Sequence, residues 1–232
     1  ATASVFAEND AMKMTADKLG NEAWGAMTRL VWRPTTEHGK IFHVGVSGAY
    51  ESPRYNKNAA ISHKSYTLKA PFPTRIVNVA AQEATITDAT ALWKVSPEMN
   101  LAFGNFGVEA QYFYVNIKRE NAMPNYNAWG AYGNVRYLLN GQGYDYNKAD
   151  AGIATPDPGS MELVAGYNYS TLTDKSADIY GGKVHDWSLT FNYYLNKYMI
   201  WRVRGSMTRA TDNAAFNNNT FSILETRLQI KF

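Results

Sequence analysis

The side chains in this 232-residue chain whose types and spacing could do chemistry are mostly basic, and they recur at even intervals within alternating segments. Arg29, Arg33, Lys94, Arg136, Arg202, Arg204, Arg227 and Lys231 occupy the polar phase of a period-two pattern, and Glu98, Glu109, Glu162 and Glu225 share it. Eight cations against four acids give a face that favours anions. A structural reading competes: Arg202 or Arg204 paired across strands with Glu225 would stiffen a sheet and select nothing. Any excess of positive charge outlasts such pairing and sets the long-range field.

Covalent chemistry is poorly provided for. His185 and Asp186 are neighbours, but adjacent side chains in a strand point to opposite faces. There is no Gly-x-Ser-x-Gly elbow, and the histidines at 38, 43, 63 and 185 lack metal-ligand spacing. The absence of Cys excludes thiolate sites and disulfides. No catalytic, cofactor or metal residue is therefore assigned. A formal net charge of +3, without any run of Lys and Arg interleaved with stacking aromatics, excludes nucleic acid as a partner.

The elements that must carry these residues are strands. Leu224, Thr226, Leu228, Ile230 and Phe232 alternate with Glu225, Arg227, Gln229 and Lys231. Trp187, Leu189, Phe191, Tyr193 and Leu195 alternate with Ser188, Thr190, Asn192 and Tyr194. The turn Asn196-Lys197 then leads to Met199, Trp201, Val203 and Met207 against Arg202, Arg204, Ser206 and Thr208. The same split marks 161–170 and 129–139, and further strands are expected at 106–118, 90–103, 40–51, 22–33 and 3–8. That makes about ten, most of them long enough to cross the hydrocarbon of a bilayer at a tilt.

Composition agrees with a barrel whose outside is apolar and whose inside is polar: 16 Tyr, 10 Phe and 6 Trp coexist with a negative mean hydropathy. The longest apolar runs, such as Tyr112 to Val115, fall far short of the roughly 20 residues of a spanning helix, so any membrane span must be a barrel. Trp24, Trp129 and Trp187 near one set of strand ends, and Trp32 and Trp201 near the other, read as two interfacial belts. The fold expected is all-β, a single antiparallel transmembrane β-barrel domain over 1–232. The N-terminus shows no signal peptide, which fits a mature or truncated chain.

With the terminal Phe232 end taken as periplasmic, Asn196-Lys197, Gly104-Asn105 and Pro34 to Gly39 become inner turns. Residues 9–21, 52–89, 120–127, 171–182 and 209–219 become outer loops. The connection 140–159 is on the inner side and yet long, which the short-turn rule leaves without an account.

Residues 130–141, Gly-Ala-Tyr-Gly-Asn-Val-Arg-Tyr-Leu-Leu-Asn-Gly, then Tyr144-Asp145 and Pro158-Gly-Ser-Met-Glu-Leu-Val-Ala-Gly-Tyr-Asn-Tyr-Ser, resemble the phosphate-selective porin O and P family. Glu22-Ala-Trp-Gly-Ala-Met-Thr-Arg-Leu-Val-Trp, Phe42-His-Val-Gly-Val-Ser-Gly-Ala-Tyr and Thr74-Arg75-Ile-Val-Asn match as well, in family order. The resemblance implies an extended segment where 140–159 lies. It also implies a 16-stranded barrel assembling as a homotrimer, of which ten strands would be the C-terminal portion, N-terminally incomplete, unless the chain is a shortened barrel.

It further implies passive diffusion of small solutes through the outer membrane of a Gram-negative bacterium, with anions preferred and phosphate or polyphosphate as candidates. Membrane lipid and lipopolysaccharide would surround a multi-pass wall, and Arg75 joins the candidate anion contacts. This sequence departs from the family pattern before Thr74, where Arg54, Lys57, His63, Lys64 and Lys69 are spread out and not clustered. Two alternatives stand beside the porin: a scaffold barrel docking on other envelope proteins, and an outer-membrane hydrolase built on His185 and Asp186.

Overall fold

The computed structural model describes residues 1–7, 23–53, 64–72, 80–215 and 218–230. Its strands are β1 (Thr2–Ala7), β2 (Trp24–Glu37), β3 (Lys40–Glu51), β4 (Tyr66–Pro71), β5 (Ala80–Ile86), β6 (Ala89–Phe103) and β7 (Phe106–Arg119). They continue with β8 (Tyr126–Leu138), β9 (Tyr146–Asn147), β10 (Gly152–Ile153), β11 (Met161–Asp174), β12 (Ile179–Asn196), β13 (Met199–Thr211) and β14 (Asn219–Ile230). Ten of them form one antiparallel sheet in the order β1-β2-β3-β6-β7-β8-β11-β12-β13-β14, while β4–β5 and β9–β10 are separate two-stranded hairpins. Among the described residues β1 and β14 are the edges and do not pair with each other. No helix among them is long and apolar enough to cross a membrane.

Strand length and side-chain placement both depart from a soluble sheet. The strands from β2 to β14 of the large sheet run 12 to 18 residues, against a usual mode of about 5 to 6. One face presents Leu30, Trp32, Val46, Trp93, Val95, Trp129, Val135, Trp187, Leu189, Met207 and Leu224, all exposed. Buried residues lie on the opposite face, and they include His43, Glu162, Asp186, Asn192 and Thr208. An apolar face of that extent is more than a water-soluble monomer exposes. All six tryptophans are among the exposed residues, with Trp93 added to those expected at the loop-bearing end.

Several boundaries differ from expectation for local reasons. β2 runs through Pro34 to Glu37 because a bulge between Trp32 and Thr35 accommodates the missing N–H, so the turn is only His38-Gly39, with Gly39 at φ +66°. Gly104-Asn105 is a turn as expected. Asn196 closes β12, and the turn shifts to Lys197-Tyr198, held by Tyr198 N donating to Asn196 Oδ1 (2.8 Å). The expected loop 171–182 is mostly strand: β11 reaches Asp174, whose carboxylate accepts from Ser176 N in a one-turn 3-10 helix, and β12 starts at Ile179. The expected loop 52–89 contains the β4–β5 hairpin, whose short alternating runs are too brief to stand out.

Candidate functional site

The polar face of the sheet is organised around a buried carboxylate. Glu162 on β11 is fully buried and accepts four hydrogen bonds, from Arg136 Nε (2.8 Å), the Tyr144 hydroxyl (2.8 Å), Asn192 Nδ2 (2.9 Å) and the Tyr194 hydroxyl (2.7 Å). Cross-strand register brings most of this set together, since Glu162 faces Leu138 on β8 and Asn192 on β12, next to Arg136 and Tyr194. Arg136 also reaches Glu109 at 3.1 Å, and its guanidinium lies 5.3 Å from the centre of the Tyr144 ring. A buried carboxylate is tolerated only when its oxygens are satisfied in this way.

Tyr144 arrives from the connection between β8 and β11, which folds back onto the polar face. Tyr144, Ile41, Ala102 and Leu138 form a small buried cluster with Tyr146 and Ile153 packed against it. The connection is tied to two neighbouring turns by Gly39 N donating to Tyr144 O (2.8 Å), Gly104 N to Gly39 O (2.7 Å) and Tyr144 N to Gly104 O (3.3 Å). Gly143, at φ +118°, makes the approach feasible, because a Cβ there would come within 3.0 Å of Gly39 Cα. Burial and the adjoining Glu162 raise the Tyr144 hydroxyl pKa, so it stays a donor.

Two histidines complete this inner cap. His38 in the β2–β3 turn meets Asp145 Oδ1 through Nδ1 (2.9 Å) and the Gln142 carbonyl through Nε2 (2.7 Å), and the Asp145 contact first, then Gln142, raises its pKa. His43, fully buried, shares a hydrogen bond with the Tyr146 hydroxyl (2.8 Å) and contacts Glu98 (3.1 Å).

At the other end of the same face the β4–β5 hairpin covers the sheet with apolar side chains. Ile86, Ala84 and Ala89 pack with Leu92, Ile117, Tyr126 and Ala128. Buried Gln82 anchors β5 by donating to the carbonyls of Ser170 (3.0 Å) and Gly182 (2.7 Å) and accepting from Ser170 Oγ (2.5 Å). Between hairpin and sheet lies a cavity of about 650 Å³ lined in part by Leu68, Gln82, Phe113, Tyr132, Asn168 and Ser170.

The candidate cations fall into two groups. Arg29 pairs with Glu98, Lys94 with Glu51 (2.6 Å), Arg136 with Glu109 and Glu162, and Arg204 with Asp186 (2.8 Å) and Glu225 (3.5 Å). Arg33, Arg202 and Arg227 have no carboxylate partner among the described residues. Arg33 lies 5.4 Å from the Tyr146 ring centre, and Arg202 Nε donates to Asn192 Oδ1 (2.7 Å). Arg202 and Arg227 are direct cross-strand partners. Arg75 and Lys231 lie outside the described residues.

The cross-strand pairing expected between Arg204 and Glu225 is present, and Asp186 adds an acid to this face that the count of four leaves out. His185 and Asp186 indeed diverge: Asp186 takes Arg204 and the Thr208 hydroxyl (2.6 Å), while His185 meets the Tyr167 hydroxyl on the apolar face (2.9 Å). Among the described residues no cluster of three or more His, Asp and Glu could hold a metal.

A family model described as phosphate-selective porin O and P matches residues 2–232. Comparison with curated proteins returned no match. The match covers nearly the whole chain and agrees with the long antiparallel strands and the two-faced sheet, which are suited to porin-type transport. The chain belongs to the phosphate-selective porin O and P family.

Proposed function

We propose that the sheet is wall of an outer-membrane β-barrel, its apolar face against lipid and its polar face lining a water-filled lumen through which small anions pass. Phosphate and polyphosphate come first among them, and a homotrimer is the assembly. The observation that carries the anion preference is the rung formed by Arg202 and Arg227, two guanidinium groups opposite one another on β13 and β14 with no acid beside either among the described residues. Like charges placed directly opposite destabilise a sheet, and a passing anion relieves that repulsion. Arg33 adds a third uncompensated cation on the same face, whereas Arg29, Lys94, Arg136 and Arg204 are largely spent on neighbouring acids. The field that a solute meets follows the residue of charge, not the count of arginines.

The full-length protein in a planar bilayer under a salt gradient gives a reversal potential of anion-selective sign, and added phosphate reduces the chloride current. Replacing both residues, Arg202→Gln with Arg227→Gln, lowers the anion-to-cation permeability ratio several-fold, on the order of what two lumen charges contribute. Unchanged selectivity in that variant removes the rung from the reading. A scaffold role is the second reading, favoured by the two segments that fold onto opposite ends of the polar face. It predicts no conductance from well-folded protein.

A further inference from the structure

We infer that the loop-bearing end of the apolar face carries a binding site for the phosphate-bearing headgroup of an outer-leaflet lipid, formed by Arg209, Lys183 and His185 over a bed of aromatic rings. The inference rests on the barrel reading above, since it requires that this face meet lipid. It concerns the outside of the wall, and none of its residues faces the polar side.

Cross-strand rows on β11, β12 and β13 change character in order. Leu163, Phe191 and Val203 form one row, then Ala165, Leu189 and Gly205, then Tyr167, Trp187 and Met207. Tyr169, His185 and Arg209 follow, and Thr171, Lys183 and Thr211 form the outermost row. Successive rows are two residues apart, about 7 Å along a strand. Aliphatic, aromatic and cationic rows therefore succeed one another within the distance that separates hydrocarbon from the phosphate level of a bilayer. Aromatic rings at the boundary and basic groups just beyond it are what a lipid–water interface selects.

The site is arranged, not merely charged. His185 stacks on Trp187 with centres 5.7 Å apart and planes 9° from parallel, and packs against Tyr169 at 4.7 Å. His185 Nδ1 shares a hydrogen bond with the Tyr167 hydroxyl at 2.9 Å, and Nε2 has no partner among the described residues; in the tautomer in which the hydroxyl donates, that nitrogen carries a free N–H. Arg209 is exposed and has no carboxylate partner among the described residues, so its guanidinium donors are available. Lys183 is held by Asp212 at 2.9 Å, which leaves two of its three N–H groups free to donate. The Lys183 ammonium beside it is the main reason the Asp212 carboxyl sits below its ordinary pKa. One anchored ammonium, one free guanidinium and a neutral donor around an aromatic floor match a phosphate monoester attached to acyl chains.

Native mass spectrometry of the full-length detergent-solubilised protein, titrated with bisphosphorylated lipid A and with the same lipid after dephosphorylation, tests this. The phosphorylated form binds more tightly, and the double variant Arg209→Ala with Lys183→Ala weakens it about 30-fold, as expected for two cations at a lipid surface. Conductance of that variant is unchanged, whereas the Arg202 and Arg227 variant changes conductance and keeps the lipid. Equal binding of the two lipids by the unaltered protein overturns the inference, as does unchanged binding by the double variant. Displacement of the lipid by inorganic phosphate at equal concentration overturns the lipid source too. Loss of conductance with lipid binding retained counts against the porin reading alone.

Discussion

The two ends of the polar face are covered by different physics. At the turn-bearing end the connection between β8 and β11 is held by charge and hydrogen bonds: Glu162 takes four donors, His43 is hydrogen-bonded to the Tyr146 hydroxyl, and His38 grips Asp145. At the loop-bearing end the β4–β5 hairpin is held by an apolar cluster around Ile86, Leu92, Ile117 and Tyr126, with Gln82 as its main polar anchor. A hydrophobic contact is insensitive to pH and to the sign of a passing solute. A charge network is sensitive to both. The turn-bearing end is thus the one at which solution conditions act on the sheet.

The comparison sharpens under mutation. Arg136→Met removes the one cation paired with buried Glu162 among the described residues, and an uncompensated buried carboxylate costs about 3–5 kcal/mol. The thermal midpoint of the purified protein falls accordingly, and hydrogen exchange quickens first around Tyr144. A fall no larger than that of an exposed arginine on the same sheet would mean that the tyrosine and asparagine donors suffice alone. Ile86→Ala at the other end leaves a cavity in a fully buried position and costs about 2–4 kcal/mol. There the exchange that quickens is that of β4 and β5, while the inner connection keeps its protection. Protection lost at both ends together would show that the caps are not independent.

How much of this was legible in the sequence follows from the range of the forces. Period-two alternation is local, so the strands, their two faces and the placement of Glu162, Asn192 and Tyr194 on the polar one could be read directly. Register adds the contact between Glu162 and Asn192, which strand counting nearly supplies. Tyr144 could not be found this way, because its segment has no period and reaches Glu162 only through the backbone bonds to Gly39 and Gly104. The spacing Gly141-Gln-Gly143 is the one signal it leaves. Asp186 shows the opposite failure: reading it as half of a His-Asp pair hid its role as the counter-charge of Arg204. Eight cations on one phase suggest a basic wall, but four of the seven that lie in the described residues are matched by acids from neighbouring strands, and pairing across strands is invisible without register.

The smallest effect separates the two caps by pH. Hydrogen bonds to Asp145 and the Gln142 carbonyl, with the charges of Asp145 and Asp157, raise the pKa of His38 above its ordinary value of 6.5. A group whose folded pKa is raised lends its full stabilisation below the unfolded value, and the contribution is lost as pH climbs through the folded one. Amide exchange over Gln142 to Tyr146, corrected for the intrinsic rate, therefore speeds up as pH rises above the ordinary histidine value of 6.5, where His38 gives up its charge. His38→Gln keeps a side-chain amide donor near Asp145 and abolishes that pH dependence, while exchange in β4 and β5 shows none in either protein. A pH dependence that survives in His38→Gln would mean that the contact of His38 with Asp145 is not what couples the cap to pH.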